Sequence, residues 1–234
     1  ANVQFTDGSF VRGNVEAIDW AVSLAALHNL TEDVNLYANF SRGFFFPQIR
    51  GFAPTAGIPN TNYDSEKITQ FEAGAKLGTE KLSGSLAAYY VSLKDRVRIT
   101  QGFSGGALVD LLRSDQSTAT FGIEANGSYK FTEHLDFRGS ATYQQHEITK
   151  NIDEDLVNGG ATEVNVGNEL ARQPNFLTTL GLHYDNSSFD ALFTLNHTGK
   201  KFTADNNNVE LDAINIFRLG TGYTFGLSND QDRN

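Results

Sequence analysis

Apolar and polar residues alternate with a period of two over several long stretches of this chain. Phe121, Ile123, Ala125, Gly127, Tyr129 and Phe131 alternate with Gly122, Glu124, Asn126, Ser128 and Lys130. After a short break, Leu135, Phe137, Gly139, Ala141 and Tyr143 alternate with Asp136, Arg138, Ser140, Thr142 and Gln144. Successive side chains of a strand point to opposite faces, so each stretch predicts a strand with one apolar and one charged face. The same reading gives strands over residues 19–26, 34–41, 70–77, 189–196 and 217–225. Residues 82–93 are apolar on both faces, and Leu177 breaks the alternation within 175–184. Template matching thus predicts an all-β chain, an antiparallel meander of about nine strands.

The connections alternate in length. Short ones fall at 29–33, 78–81, 132–134 and 185–188, and long ones at 47–67, 95–117, 150–173 and 198–215. Short turns at one end and long loops at the other are the habit of a transmembrane barrel in an outer membrane. A soluble sandwich has no reason to keep its long loops at one end. Aromatics cluster beside the short turns (Tyr129, Phe131, Phe137, Tyr184, Phe189, Tyr223 and Phe225), where an interfacial girdle would lie.

Composition changes this picture little. Hydrophobic residues make up 39% of the chain, and no stretch approaches the roughly 18 consecutive apolar residues of a membrane helix. That excludes helical spanning and leaves a barrel open, because only alternate residues of each strand face lipid. Cys is absent, which removes disulfides, thiolate metal sites and a Cys nucleophile. A formal charge of −10 argues against a nucleic-acid surface, which needs a basic face. The opening Ala1-Asn-Val-Gln-Phe5 is no signal peptide, and the expectation is that the N-terminus is internal to a longer chain.

The run Asn35-Leu-Tyr-Ala-Asn-Phe-Ser-Arg-Gly-Phe-Phe-Phe-Pro47 resembles TonB-dependent outer-membrane receptors, in which a strand ends in an Arg-Gly-Phe-x-x-Pro-like sequence. Further on, Glu66-Lys-Ile-Thr-Gln-Phe-Glu-Ala-Gly-Ala-Lys76 is similar to the family's Glu-x-Gly-x-Lys strand, and Arg172-Gln-Pro174 precedes a strand as in the family. The resemblance implies that residues 1–234 are one partial receptor barrel domain of the large, plugged class. It implies uptake of a scarce nutrient, with a ferric siderophore as first expectation and cobalamin or an oligosaccharide behind it. It also implies a bacterial outer-membrane location, lipid and lipopolysaccharide around the wall, and a TonB energy complex acting through a plug domain. The family's plug, TonB box and closing strands have no counterpart here, so the expectation is an internal run of later strands. Two open edges cannot persist in hydrocarbon, and this stretch alone should not form a pore.

Two groups of residues are singled out. Glu72, Lys76, Glu124, Lys130 and Arg138 lie on the polar face of their strands and are expected to face the lumen, as the default polarity of a barrel interior also requires. Arg42, Phe44, Arg50, Phe52, Arg96, Arg98 and Arg113 lie at or near the long loops, and are expected to shape an external pocket for an anionic, partly aromatic ligand. Arg suits carboxylate or catecholate oxygens through its planar fork, although external Arg can equally meet lipopolysaccharide phosphates or simply solvate a loop.

No catalytic or cofactor chemistry is expected. His28, His134, His146, His183 and His197 are scattered without zinc spacing. Asp153-Glu-Asp155 lacks the pattern of a calcium loop, and no Gly-x-Ser-x-Gly elbow or phosphate-binding Gly loop occurs. The rival readings are a passive porin or other outer-membrane barrel, and a soluble β-rich binding module.

Overall fold

A computed structural model describes residues 2–4, 10–12, 18–46, 64–104, 107–155 and 160–225, with side chains over 18–46, 64–96, 116–152 and 164–225. A small hairpin pairs β1 (Asn2–Gln4) with β2 (Phe10–Arg12). The wall follows as β3 (Val22–Asn29), β4 (Val34–Phe45), β5 (Glu66–Gly78), β6 (Leu82–Ser104), β7 (Ala107–Lys130) and β8 (Leu135–Asp155). A short strand, β9 (Gly160–Glu163), pairs onto the far end of β8. The wall continues with β10 (Phe176–Asp185) and β11 (Phe189–Thr198), then a minor hairpin of β12 (Lys201–Phe202) and β13 (Glu210–Leu211), and ends with β14 (Ile214–Tyr223). From β3 to β14 the wall strands lie antiparallel in chain order, apart from β9, β12 and β13, which stand off its path. The expected meander of nine strands is therefore the observed one.

Local chemistry closes the short turns. The Thr31 hydroxyl accepts from the Val34 N–H at 3.0 Å, Thr79 from Leu82 at 2.9 Å, and the Asn186 carbonyl oxygen from Phe189 at 2.8 Å. In each case a Thr or Asn side chain stands in for a backbone acceptor, which is why these residues favour tight turns.

Register carries one face across every strand. Phe40, Phe71, Tyr90 and Phe121 are successive partners, as are Tyr129 and Phe137, and Phe137, Leu182, Phe193 and Leu219. Glu124 and Arg138 stand on the opposite face. Among the described residues nothing covers the apolar face: Leu219 is 73% exposed, and only Ala87 and Ile148 are buried hydrophobics. A two-layer sandwich would bury this face; a wall against lipid leaves it open.

The external end departs from expectation. Residues 95–117 are not a loop, because β6 and β7 continue past the wall as a paired ribbon to Ser104 and Ala107. Likewise β8 runs on to Asp155 through the start of the expected 150–173 loop. The alternation Arg96-Val-Arg-Ile99 already carried the strand pattern. The bulges between Leu93 and Val97, and between Ser117 and Thr118, mark where wall becomes ribbon.

Above β10, the segment 164–175 takes the edge of β8, with Ile148 N–H donating to the Asn168 carbonyl and Gly167 N–H to the Ile148 carbonyl, both at 2.9 Å. The β12–β13 loop then locks onto this segment. The Asn207 amide accepts from the Glu169 N–H at 2.8 Å and donates to the Glu169 carbonyl at 2.8 Å. Asp205 accepts from the Ala171 N–H and from the Gln116 amide, both at 3.0 Å. Gln116, Thr118, Ile148 and Asn151, which share the inner face here, are all buried. These loops form a built shelf.

Replacing Ile123 or Leu219 by Arg in a complete barrel should cost about 2–4 kcal/mol near the bilayer midplane, and Asn126→Arg far less. Refolding titrations in lipid vesicles measure this, and equal costs would refute the face assignment. Asn207→Leu removes two hydrogen bonds to Glu169, about 2 kcal/mol in all, so the Glu169 amide should exchange roughly 30-fold faster with wall amides unchanged. An unaltered rate at Glu169 would mean that the shelf is held by other contacts.

Candidate functional site

The inner face of the wall is shaped by tyrosines lying across glycines. Tyr89, Gly122 and Gln144 are successive register partners on β6, β7 and β8. A Cβ on Gly122 would stand 2.2 Å from the Tyr89 ring, so the ring crosses β7 only because Gly122 has no side chain. The Tyr89 hydroxyl then donates to Gln144 Oε1 at 3.0 Å, and Gln144 Nε2 donates to the Pro174 carbonyl at 3.0 Å. Gly74 has the same relation to Tyr37, whose ring would lie 2.7 Å from an added Cβ. The Lys76 ammonium stands over that Tyr37 ring, 5.2 Å from its centroid.

Glu72 and Glu124 share this face, on either side of β6 and close to the Tyr37 hydroxyl. Gln70 donates to Glu72 at 3.4 Å, and neither carboxylate has an ion-pair partner among the described residues. Between them lie Gly74 and Ala87, with the Tyr37 ring across Gly74, and Tyr89 is the register partner of Glu72. Lys130 lies opposite Asp136 in register, nearer the short turns. There Arg138 Nε meets Asp136 at 2.9 Å, while His183 stands between Asp136 at 3.0 Å and Asp190 at 3.4 Å. All five expected inner residues thus share one face, and only Arg138 among them is engaged in an ion pair.

The residues expected to shape an external pocket fall into three groups. Arg50 and Phe52 lie outside the described residues. Arg96, Arg98 and Arg113 belong to strands of the ribbon, and Arg98 and Arg113 are direct register partners. Arg96 donates to Gln116 Oε1 at 3.0 Å, so the fully buried Gln116 joins it to Asp205 and the shelf. Arg42 and Phe44 stand elsewhere, since register places them on the outer face in line with Phe40. Arg42 is held there by Asp19 at 2.9 Å and by the Trp20 ring at 4.0 Å. Above the wall, the Lys200 ammonium is pushed above its usual range by its 2.8 Å bond to Glu210.

Sequence reading missed Gln116, Asp205 and Asn207. The Asp205-Asn-Asn-Asn208 run was the available signal, since such side chains bond readily to backbone. Which backbone they meet depends on where the loop folds. Among the described residues no group of three or more acidic, His or Cys side chains is placed to hold a metal ion.

Solved structures match this wall closely. The ferric yersiniabactin uptake receptor FyuA from Yersinia pestis matches with a TM-score of 0.65 at 18% identity, over 86% of this chain and 29% of that one. The ferric citrate transporter FecA matches at 0.70 and 18%, over 89% and 31%. The copper transporter OprC matches at 0.65 and 16%, over 86% and 31%. At such identities the likeness shows the fold, and the chain spans less than a third of those proteins. No curated protein matches the sequence. The family model described as TonB dependent receptor-like, beta-barrel, matches residues 3–231, a range that takes in the two-faced wall, the ribbon and the shelf; the chain belongs to that receptor family.

Proposed function

We propose that this chain is a wall segment of a bacterial outer-membrane receptor that imports a scarce nutrient, most readily a ferric siderophore. The observation that carries the reading is the inner face around Glu72 and Glu124. Two carboxylates around the Tyr37 hydroxyl, without an ion-pair partner among the described residues, leave negative charge for basic groups of a domain seated in the lumen. A passive porin needs a hydrated lumen and no such docking place. The domain they receive is a plug, and through it the inner-membrane TonB complex supplies the energy.

The ligand enters from the ribbon side. Arg98 and Arg113 are register partners on a ribbon that also carries Asp110 and Asp115, so two arginine positions adjoin there, and local field governs capture of an anion. Ferric chelates of catecholate or carboxylate character fit such a site, and two of the similar structures are named for ferric ligands. Arg50 and Phe52 belong to the same proposal. Arg42 and Phe44, on the outer face, leave it.

In the complete receptor, Arg98→Ala with Arg113→Ala should weaken an anionic ferric chelate by about 1.5–3 kcal/mol, the size of a desolvated charged hydrogen bond. Arg42→Ala, on the outer face, should leave affinity unchanged. Titration at low and high salt tests this, and unchanged affinity of the double variant for every anionic chelate removes the ribbon from the site.

A further inference from the structure

At the foot of the shelf stands a histidine that the uptake reading does not use. His146 is the twelfth residue of β8, and a tilted strand crosses the hydrocarbon in about 9–11, so its ring lies past the external margin. Thr120 is its register partner on β7, and the Thr120 hydroxyl and His146 Nδ1 are bonded at 2.8 Å. The other ring nitrogen, Nε2, is buried and has no partner. Segment 164–175 grips the strand on both sides of this ring: the Leu170 N–H donates to the His146 carbonyl at 3.2 Å, and the Gln144 N–H to the Asn175 carbonyl at 2.8 Å.

A neutral imidazole tolerates this setting, since one of its nitrogens carries no proton. An imidazolium does not, because both nitrogens must donate and the Nε2 proton would be buried without an acceptor. Burial accordingly holds His146 below the ordinary histidine range, and the Glu169 carboxylate opposes that only in part. Glu169 is itself engaged, its Oε1 accepting from Asn175 Nδ2 at 3.0 Å. Asn175 Oδ1 is also buried without a partner, so it does not reach Nε2. The other titratable or charged side chains around the ring are spoken for or turned to solvent. The Tyr89 hydroxyl on β6 bonds to Gln144, and Asp205 in the β12–β13 loop holds Ala171 and Gln116. Glu147 and Lys150 on β8 and Arg172 on the covering segment are exposed, and β7 brings only Thr118 and Thr120 beside it.

When the segment lifts, water supplies the missing acceptor, so the open form takes up a proton more readily than the closed one. The closed form therefore keeps its full stability above the ordinary histidine range, about pH 6.5, and loses it as pH falls below that. We infer that His146 makes the shelf an acid-sensitive cover, in which protonation of the ring releases segment 164–175 from the edge of β8. The inference goes beyond the uptake reading and rests on the contacts of the shelf, whatever the cargo.

Hydrogen exchange of the complete receptor in lipid nanodiscs, from about pH 8 to about pH 5, tests this. After correction for the intrinsic pH dependence of exchange, opening at the Leu170 amide should rise roughly tenfold at the acidic end, with wall amides such as Leu182 unchanged. His146→Gln cannot charge and should abolish the rise. Glu169→Gln keeps an acceptor for Asn175 and removes the opposing charge, so it should enlarge the rise. A Leu170 amide indifferent to acid overturns the switch, and so does a rise that persists in His146→Gln, which assigns the opening to a carboxylate. Should His146→Gln leave the shelf open at every pH, Glu169→Gln decides, and an unchanged or smaller rise there overturns the inference.

Discussion

Water is absent from the hydrocarbon of a bilayer, so each backbone N–H and C=O of a strand there must bond to a neighbouring strand. The rest of this structure depends on that requirement. It forces continuous ladders from β3 to β14, and a continuous ladder fixes register. Register in turn fixes parity, since a slip of one residue would carry Glu124 to the apolar face and Ile123 to the polar one. The bulges occur beyond this zone, at Leu93–Val97 and Ser117–Thr118, where the ladder is free to break. There the strands leave the wall and become a ribbon.

Freed from contact with lipid, the inner face is organised by polar chemistry and size. Gly122 and Gly74 are too small to stand upright from the sheet, and Tyr89 and Tyr37 lie across them. Tyr89 then reaches Gln144 on the strand after next, and Gln144 reaches Pro174 at the foot of the shelf. One chain of hydrogen bonds thus runs from the middle of the wall to its external loops. Glu72 and Glu124 stand beside it, near the Tyr37 hydroxyl, without an ion-pair partner among the described residues.

The shelf and the ribbon base form one unit. Gln116, wholly buried, bonds to Arg96 on one side and Asp205 on the other, and Asp205 also holds the Ala171 N–H. Asn207, Asn165, Arg172 and Asp95 adopt left-handed backbone conformations, with φ between 52° and 65°. Asn and Asp tolerate that region better than most residues; Arg172 is held in it with its N–H bonded to the Phe202 carbonyl at 2.8 Å. Long connections that look irregular in sequence are thus fixed by side-chain bonds to backbone.

The alternation of Phe121–Phe131 and Leu135–Gln144 determined by itself that these are strands, which residues share a face, and that the faces differ in polarity. The Thr and Asn of the short turns determined where the chain reverses. Period two reports only on a strand and its own two sides, so it could place Glu72, Lys76, Glu124, Lys130 and Arg138 together. It also put Arg42 and Phe44 in line with Phe40, on the outward side, although closeness to a long loop made them resemble ligand residues. The tertiary structure alone decided what lies beyond the wall. The pairing of 96–104 with 107–116, the grip of Asn207 on Glu169 and the meeting of Gln116 with Asp205 join residues up to 89 positions apart. Such contacts depend on where two loops arrive in space, and no local pattern of hydrophobicity encodes that arrival.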